Sequence, residues 1–480
     1  MSCTALVQGS HPLSYLIEKS PAHLATYPES FGKLLTTYTP KFLGLKHNSG
    51  IWPAASYGED VIVGILDTGI WPESESFKDE GMSPVPQRWK GTCENGTAFS
   101  PSACNRKLIG ARSFSKGLQA GGIEISKEHD FNSARDYDGH GNTSKAICNH
   151  TTLDRNEVAG KVVLCDYSTK IEVSQQMMEV ERVGEKPKSE KMKFVLTRLG
   201  GKPTPQVANF SSKGPNPISP GVLKPDILAP GVDVLAAFSP IISFIRVGKY
   251  HLASDYALLS GTSMATPIVA GIGALLKVVH PEWSPAAVRS AMMTTAYAMD
   301  NIGTIMKSEL TGLSGTPLEF GAGHINPNKA MDPGLIYDMG LQDYIEFVCG
   351  LGYTKEQMSV LIRRTQWNCN HKSINDLNYP SITAVLTSKT KYPVTMNFSR
   401  VVTNVGNDTA VYRVHLENIP TGMRISVKPR TLTFTRKYQN RSFVVSIELD
   451  RDFPGVIFGF LKWIDQDSHI VSSPMVAINF

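Results

Sequence analysis

Residues Leu259–Val279 read LSGTSMATPIVAGIGALLKVV, and the rest of the chain is interpreted from this stretch outward. A Gly-Thr-Ser turn opens onto an apolar run beginning near Met264. Pro267 is read as lying in a first helical turn, the one helical place where proline is tolerated. Gly271 and Gly273 interrupt a segment otherwise rich in Ile, Val, Ala and Leu. That pattern predicts a helix buried on all sides, with glycines permitting close packing. Ser263 then stands at or just before the helix N-terminus, where unpaired N–H groups and the helix dipole favour negative charge. A serine there is either a helix cap or a nucleophile whose developing oxyanion those N–H groups stabilise.

Two upstream segments carry groups that a nucleophile needs. In GEDVIVGILDTGIWPESES (Gly58–Ser76) the run Val61–Leu66 is apolar and mostly β-branched, which predicts a strand buried on both faces of a parallel sheet. Asp67 follows at its C-terminal edge, where the sites of open α/β sheets lie. An aspartate there can also be a simple turn residue. In SARDYDGHGNTS (Ser133–Ser144), His140 sits between two glycines on a turn that other groups can approach closely. A loop histidine on its own is usually only solvated.

Composition narrows the function classes. The chain has 480 residues, enough for several domains, and its 40 Gly and 30 Pro indicate many turns rather than long helices. The net charge of +5 is scattered and forms no basic stripe, so a nucleic-acid partner is not expected. No membrane span is expected either, because Pro267, the glycines and Lys277 interrupt the longest apolar run. The first twenty residues lack the basic start and apolar core of a secretory signal. The cysteines nevertheless fall into local pairs, Cys93 with Cys104, Cys148 with Cys165 and Cys349 with Cys369, leaving Cys3. None has zinc-site spacing, so no metal is expected. Sequons at Asn95, Asn142, Asn149, Asn209, Asn397, Asn407 and Asn440 allow N-glycans. Together with pairable cysteines they favour an oxidising, secretory environment.

The order Asp67, His140, Ser263 is that of the subtilisin triad, and Ala265 replaces the second glycine of an α/β-hydrolase elbow. With DTGIWPES around Asp67, DGHG around His140 and GTSMATP around Ser263, the chain resembles plant subtilisin-like serine proteases of the cucumisin type. QRWKGTCENG, CNRKLIGARSF, ANFSSKGPNP, KPDILAPGVDVLAA, INPNKAMDPGLIYD and LNYPSI extend the resemblance over most of the chain. It implies a secreted, extracellular (apoplastic) endopeptidase acting on peptide or protein substrates without a cofactor. Asp67, His140 and Ser263 would be its catalytic residues.

The implied fold class is α/β: a subtilisin-like parallel-sheet catalytic domain with a protease-associated insert and a C-terminal fibronectin-III-like sandwich. The expected divisions are a propeptide remnant at 1–45, catalytic segments at 46–145 and 201–350, the insert at 146–200 and the sandwich at 374–480. VAGKVVLCD (Val158–Asp166) supplies one strand of the insert. SRVVTNVGN, AVYRVHLEN, MRISVKP, TLTFTRK and SFVVSIELD are short runs between turn signals, as a sandwich requires.

The sequence also departs from the family pattern. After His140 it passes through NTSKA directly to Cys148, too short an interval for even one βαβ unit of about 30 residues. The catalytic domain is therefore expected to be incomplete and the insert shortened around Glu185–Phe194. The oxyanion asparagine of the family has no match, since Asn142, Asn149 and Asn209 all lie in other contexts. Loss of such a donor costs about 3–4 kcal/mol of transition-state stabilisation. The alternative expectation is thus a catalytically impaired remnant that acts as a binding or interaction protein. Ile268, where relatives often carry histidine, is a minor difference.

Overall fold

The computed structural model describes residues 38–115, 120, 122, 131–136, 201–241, 245–247, 250–369 and 373–480. Helices dominate the part up to about residue 375, here called the body, and strands the part beyond it. In the body, β1 (Val234–Ala237) pairs antiparallel with β4 (Tyr256–Leu259), and β2 (Ile245–Val247) with β3 (Tyr250–Leu252) forms a short hairpin between them. β4 leads into α1 (Thr262–Val279). Next comes α2 (Pro285–Thr294), where the Ser284 hydroxyl accepts from the Ala287 N–H at 3.0 Å and Pro285 occupies the first turn. Val288 and Met292 of α2 pack on Ile272, Leu275 and Leu276 of α1, with Ile51 and Ile325 completing this core. α3 (Leu341–Gly350) and α4 (Lys355–Ile362) follow, and Thr354 caps α4 by accepting from the Gln357 N–H.

Two sequence expectations are corrected here. Only Ile272, Leu275 and Leu276 of α1 are buried, whereas Ser263, Thr266, Pro267, Ala270 and Gly271 are exposed. A side chain at Gly271 would meet nothing within 4 Å. The run Val61–Leu66 is extended but pairs with no strand among the described residues, and Val63, Ile65 and Leu66 are 54%, 69% and 94% exposed. The physical reason is common to both. A segment buried on all sides needs neighbours on all sides, and among the described residues these two lack them. Among the described residues, parallel pairing in this part is confined to single bridges, such as Ile70 with Arg135 and Leu228 with His324. The α/β class stands, with its sheet reduced to such bridges among the described residues.

The reason for expecting no membrane span, though not the expectation, is revised by α1 itself. It runs unbroken through Pro267 and Lys277, and its length and composition would suffice to cross a membrane. Its C-terminal half instead lies in the body core against α2.

The sandwich forms as its alternating runs predict. Strands β5 (Leu335–Ile336), β6 (Ile382–Leu386), β7 (Val394–Asn404), β8 (Ala410–Glu417), β9 (Met423–Lys428), β10 (Thr431–Phe434), β11 (Asn440–Leu449), β12 (Val456–Ile464) and β13 (Ile470–Asn479) build two sheets. One has the order β10-β8-β12-β13-β6 and the other β5-β7-β11-β9. Inward residues alternate along β11 as Phe443, Val445, Ile447 and Leu449, and meet Phe398, Tyr412, Phe434 and Trp463 in one core.

Body and sandwich are tied together by the residues between them. β5 precedes α3 in the chain, yet Leu335 pairs with Asn404 at the edge of the sandwich. Two residues on, the Tyr337 N–H donates to Ser290 Oγ of α2 at 2.8 Å, and its hydroxyl lies 2.9 Å from Ser473 Oγ of β13. Leu223 and Leu318 of the body pack against Val476 and Ile478. Arg400 on β7 is buried and donates to the carbonyls of Asn375, Tyr379, Ser381 and Ser399. Burial pulls its guanidinium down to about 10, and it remains charged at neutral pH.

Candidate active site

Ser263 is the second residue of α1, because the helix begins at Thr262. Pro267 therefore lies inside the helix, one turn later than the sequence pattern places it. Having no N–H, it leaves the Ser263 carbonyl without its usual helical donor. The Thr262 carbonyl accepts from Thr266 Oγ1 at 2.9 Å. The approach to the helix is fixed by the Gly261 N–H donating to the Gly231 carbonyl at 2.8 Å and by the Asp233 N–H donating to Ser260 Oγ at 2.9 Å. The Ser263 side chain is exposed, and its hydroxyl makes no hydrogen bond among the described residues. It sits in the first turn, where backbone N–H groups lack intrahelical acceptors.

Asp67 is exposed at the end of the Val61–Leu66 run, and one carboxylate oxygen accepts from the Thr68 N–H at 2.9 Å. The next residues run parallel to Ser133–Asp136. The Ile70 N–H donates to the Ala134 carbonyl at 3.0 Å, and the Asp136 N–H to the Ile70 carbonyl at 2.9 Å. Gly69 permits this approach, since a Cβ on it would lie 2.7 Å from the Asp136 nitrogen. Arg135 secures the pairing from the other side. It is buried, holds Glu73 through both guanidinium nitrogens, donates to the Ala98 carbonyl and stacks 4.6 Å from the Trp71 ring centroid. That paired hydrogen bond holds the Glu73 carboxyl below its usual range.

His140 lies outside the described residues, as do Asn142, Asn149 and the Cys148–Cys165 pair. The structure therefore places two of the three expected catalytic residues and the anchored segment, Ser133–Asp136, that precedes the third. Asn209 lies elsewhere, its backbone N–H donating to Glu309 Oε2 at 3.0 Å. The other two local cysteine pairs form disulfides, Cys93–Cys104 and Cys349–Cys369. His324 is a core histidine: burial lowers its pKa to about 4, and Phe42 and Tyr297 rings flank it at 5.3 and 5.1 Å.

One charged cluster carries no signal in the sequence. His469 follows β12 in the sandwich, and its Nδ1 lies 2.6 Å from Asp465 Oδ2 while its Nε2 lies 3.0 Å from Asp332 Oδ2 of the body. Hydrogen bonding to Asp332 is the main cause that lifts its pKa to about 9, and both carboxylates favour the imidazolium. The same bond keeps the Asp332 carboxyl low. Asp332 and His469 also line a cavity of about 290 Å³ between body and sandwich, together with Tyr297, Lys329 and Lys462.

Body and sandwich define a class, a subtilisin-type α/β unit followed by a fibronectin-III-like domain. Comparison with known proteins carries this further. Residues 166–323 match the subtilase family and residues 376–477 the fibronectin type-III domain. The first match includes Ser263 but neither Asp67 nor His140. Subtilisin-like protease SBT1.6 of Arabidopsis thaliana is 30% identical, the alignment taking in 96% of this chain and 89% of the relative. Subtilisin-like protease SBT1.7 of the same plant is 31% identical over 96% and 88% of the two chains. Subtilisin-like protease SBT3 of Solanum lycopersicum is 30% identical over 96% and 87%. The chain belongs to the subtilase family and falls among its plant members. The alignment with SBT1.6 runs over 679 positions, more than the 480 residues available, so that relative carries internal segments which this chain lacks.

Proposed function

We propose that the chain is a serine-type endopeptidase that cleaves peptide bonds through Asp67, His140 and Ser263. Ser263 attacks the scissile carbonyl while His140 takes its proton and then passes it to the leaving amine. Asp67 holds the histidine tautomer and stabilises the imidazolium, and water hydrolyses the acyl-enzyme. First-turn N–H groups of α1 supply part of the oxyanion site. No metal or organic cofactor takes part. The observation that carries this reading is the exposed Ser263 hydroxyl, without a hydrogen-bond partner among the described residues, at the second position of an unbroken 18-residue helix. The anchoring of Ser133–Asp136 against Ile70 supports it, because His140 follows that segment by four residues and Asp67 precedes Ile70 by three.

The two disulfides and the exposed sequon residues Asn95, Asn397, Asn407 and Asn440 support secretion to the extracellular space, with N-glycans at those asparagines. The division into catalytic segments at 46–145 and 201–350 around a shortened insert belongs to the same reading.

A specific observation favours a second reading, a catalytically impaired remnant that acts by binding. The bare Val61–Leu66 run and the exposed face of α1 lack the neighbours that shape a substrate cleft. A fluorophosphonate probe separates the two. Labelling that maps to Ser263 and disappears in Ser263→Ala, together with cleavage of a denatured protein substrate that the same variant abolishes, establishes the endopeptidase, whereas a folded chain that takes no label is the remnant.

A further inference from the structure

The bare run before Asp67 has the form of a strand whose two edges are both open. None of the Ile62–Asp67 N–H groups and none of the Val61–Gly69 carbonyls is hydrogen-bonded among the described residues. Val63 and Ile65 share one face of this extended segment and Leu66 lies on the other, all three exposed. Unpaired backbone and β-branched apolar side chains together recruit another strand more effectively than either alone.

The charges at the N-terminal end set the chemistry of the occupant. Asp60 is already held by Arg88, whose guanidinium also donates to the Asp60 carbonyl. Glu59 beside it is exposed and has no ion pair among the described residues. A second copy of this chain fits poorly. Antiparallel self-pairing of all six residues would set Asp60 opposite Asp67 at both ends, and like charges in opposed positions destabilise a strand pair.

We propose that Val61–Leu66 is a docking strand for another polypeptide. Its occupant is an extended, β-branched apolar segment with Lys or Arg at the end that meets Glu59. This inference does not depend on catalysis, and its test uses the full chain carrying Ser263→Ala so that the probe survives.

The probes are fluorescein-labelled Val-Thr-Val-Thr-Val-Lys-Lys and Lys-Lys-Val-Thr-Val-Thr-Val, one for each strand direction, with Glu-Glu versions as controls. Fluorescence anisotropy is expected to show one lysine peptide binding at least ten-fold more tightly than its glutamate control. Glu59→Lys should reverse that preference. Ile65→Pro should cost at least ten-fold in affinity without unfolding the chain, because the Ile65 N–H makes no bond that proline would break. Hydrogen exchange at Ile62–Leu66 should slow only when peptide is bound. Equal binding of lysine and glutamate peptides overturns the proposal. So does a dimer in sedimentation that excludes the peptide, or exchange protection of Ile62–Leu66 in the free chain.

Discussion

Replacing His469 by Asn tests the junction between body and sandwich. His469 donates toward Asp465 within the sandwich and toward Asp332 across the junction, and both contacts require the charged ring. A rise in pKa from 6.5 to about 9 corresponds to about 3 kcal/mol at 1.36 kcal/mol per pH unit. The His469 side chain is 13% exposed, but that of Asp332 is 63% exposed, so water screens the cross-junction half. About 2 kcal/mol remains after that discount. The lowered pKa of Asp332 expresses the same contact and adds nothing further.

The sign follows from the direction of the shift. The folded-state pKa lies above the unfolded value, so the stabilisation is complete below about pH 6.5 and is lost as the pH rises through about 9. Asp465, Asp467, Tyr412, His280 and Lys437 also act on this cluster, and none of them reverses that direction. Thermal unfolding at pH 6 should show His469→Asn melting about 5 °C below the parent chain, at about 2–4 °C per kcal/mol. At pH 10 the two should melt within about 1 °C of each other, the parent having lost the same increment. Melting curves that differ equally at both pH values, or coincide at pH 6, would refute the assignment of this energy to the protonated ring.

Two further predictions concern residues that carry no chemistry. Arg400→Leu should destabilise the chain by about 3–5 kcal/mol, because it strands four carbonyls that the guanidinium now satisfies. Arg400→Lys, with three donors, should recover part of that loss in urea titrations; equal stability of parent and leucine variant would show that water replaces the guanidinium. Gly334 has φ +75°, and a Cβ on it would lie 2.4 Å from the Tyr412 hydroxyl and 2.9 Å from the His469 side chain. Gly334→Ala should therefore cost about 2–4 kcal/mol in the same titration. A loss below 1 kcal/mol would mean that the junction opens without strain.

The Leu259–Val279 pattern held as a helix but not as a buried one. Apolar periodicity states what a segment is able to bury, and the helix formed on that basis alone. Whether its exposed face finds a neighbour depends on other segments, and the same holds for Val61–Leu66. Pro267 misled by one turn because proline is favoured near a helix start, while the Gly-Thr-Ser turn proved to be the first turn itself. The sandwich was legible strand by strand, since alternation along β7 to β11 and the turns between them are local properties.

The amino-acid sequence by itself determined the family, the helix that carries Ser263, the strand runs of the sandwich and two disulfide pairs across short intervals. Each of these is written in residues close together along the chain or in motifs read as text. The tertiary structure alone decided that Asp67 lies at the end of an unpaired run, that Arg135 clamps Glu73 and that His469 reaches Asp332. The last two residues are 137 positions apart. Their ion pair has no counterpart in any local pattern, because its energy exists only once the chain has folded and set the charges 3.0 Å apart.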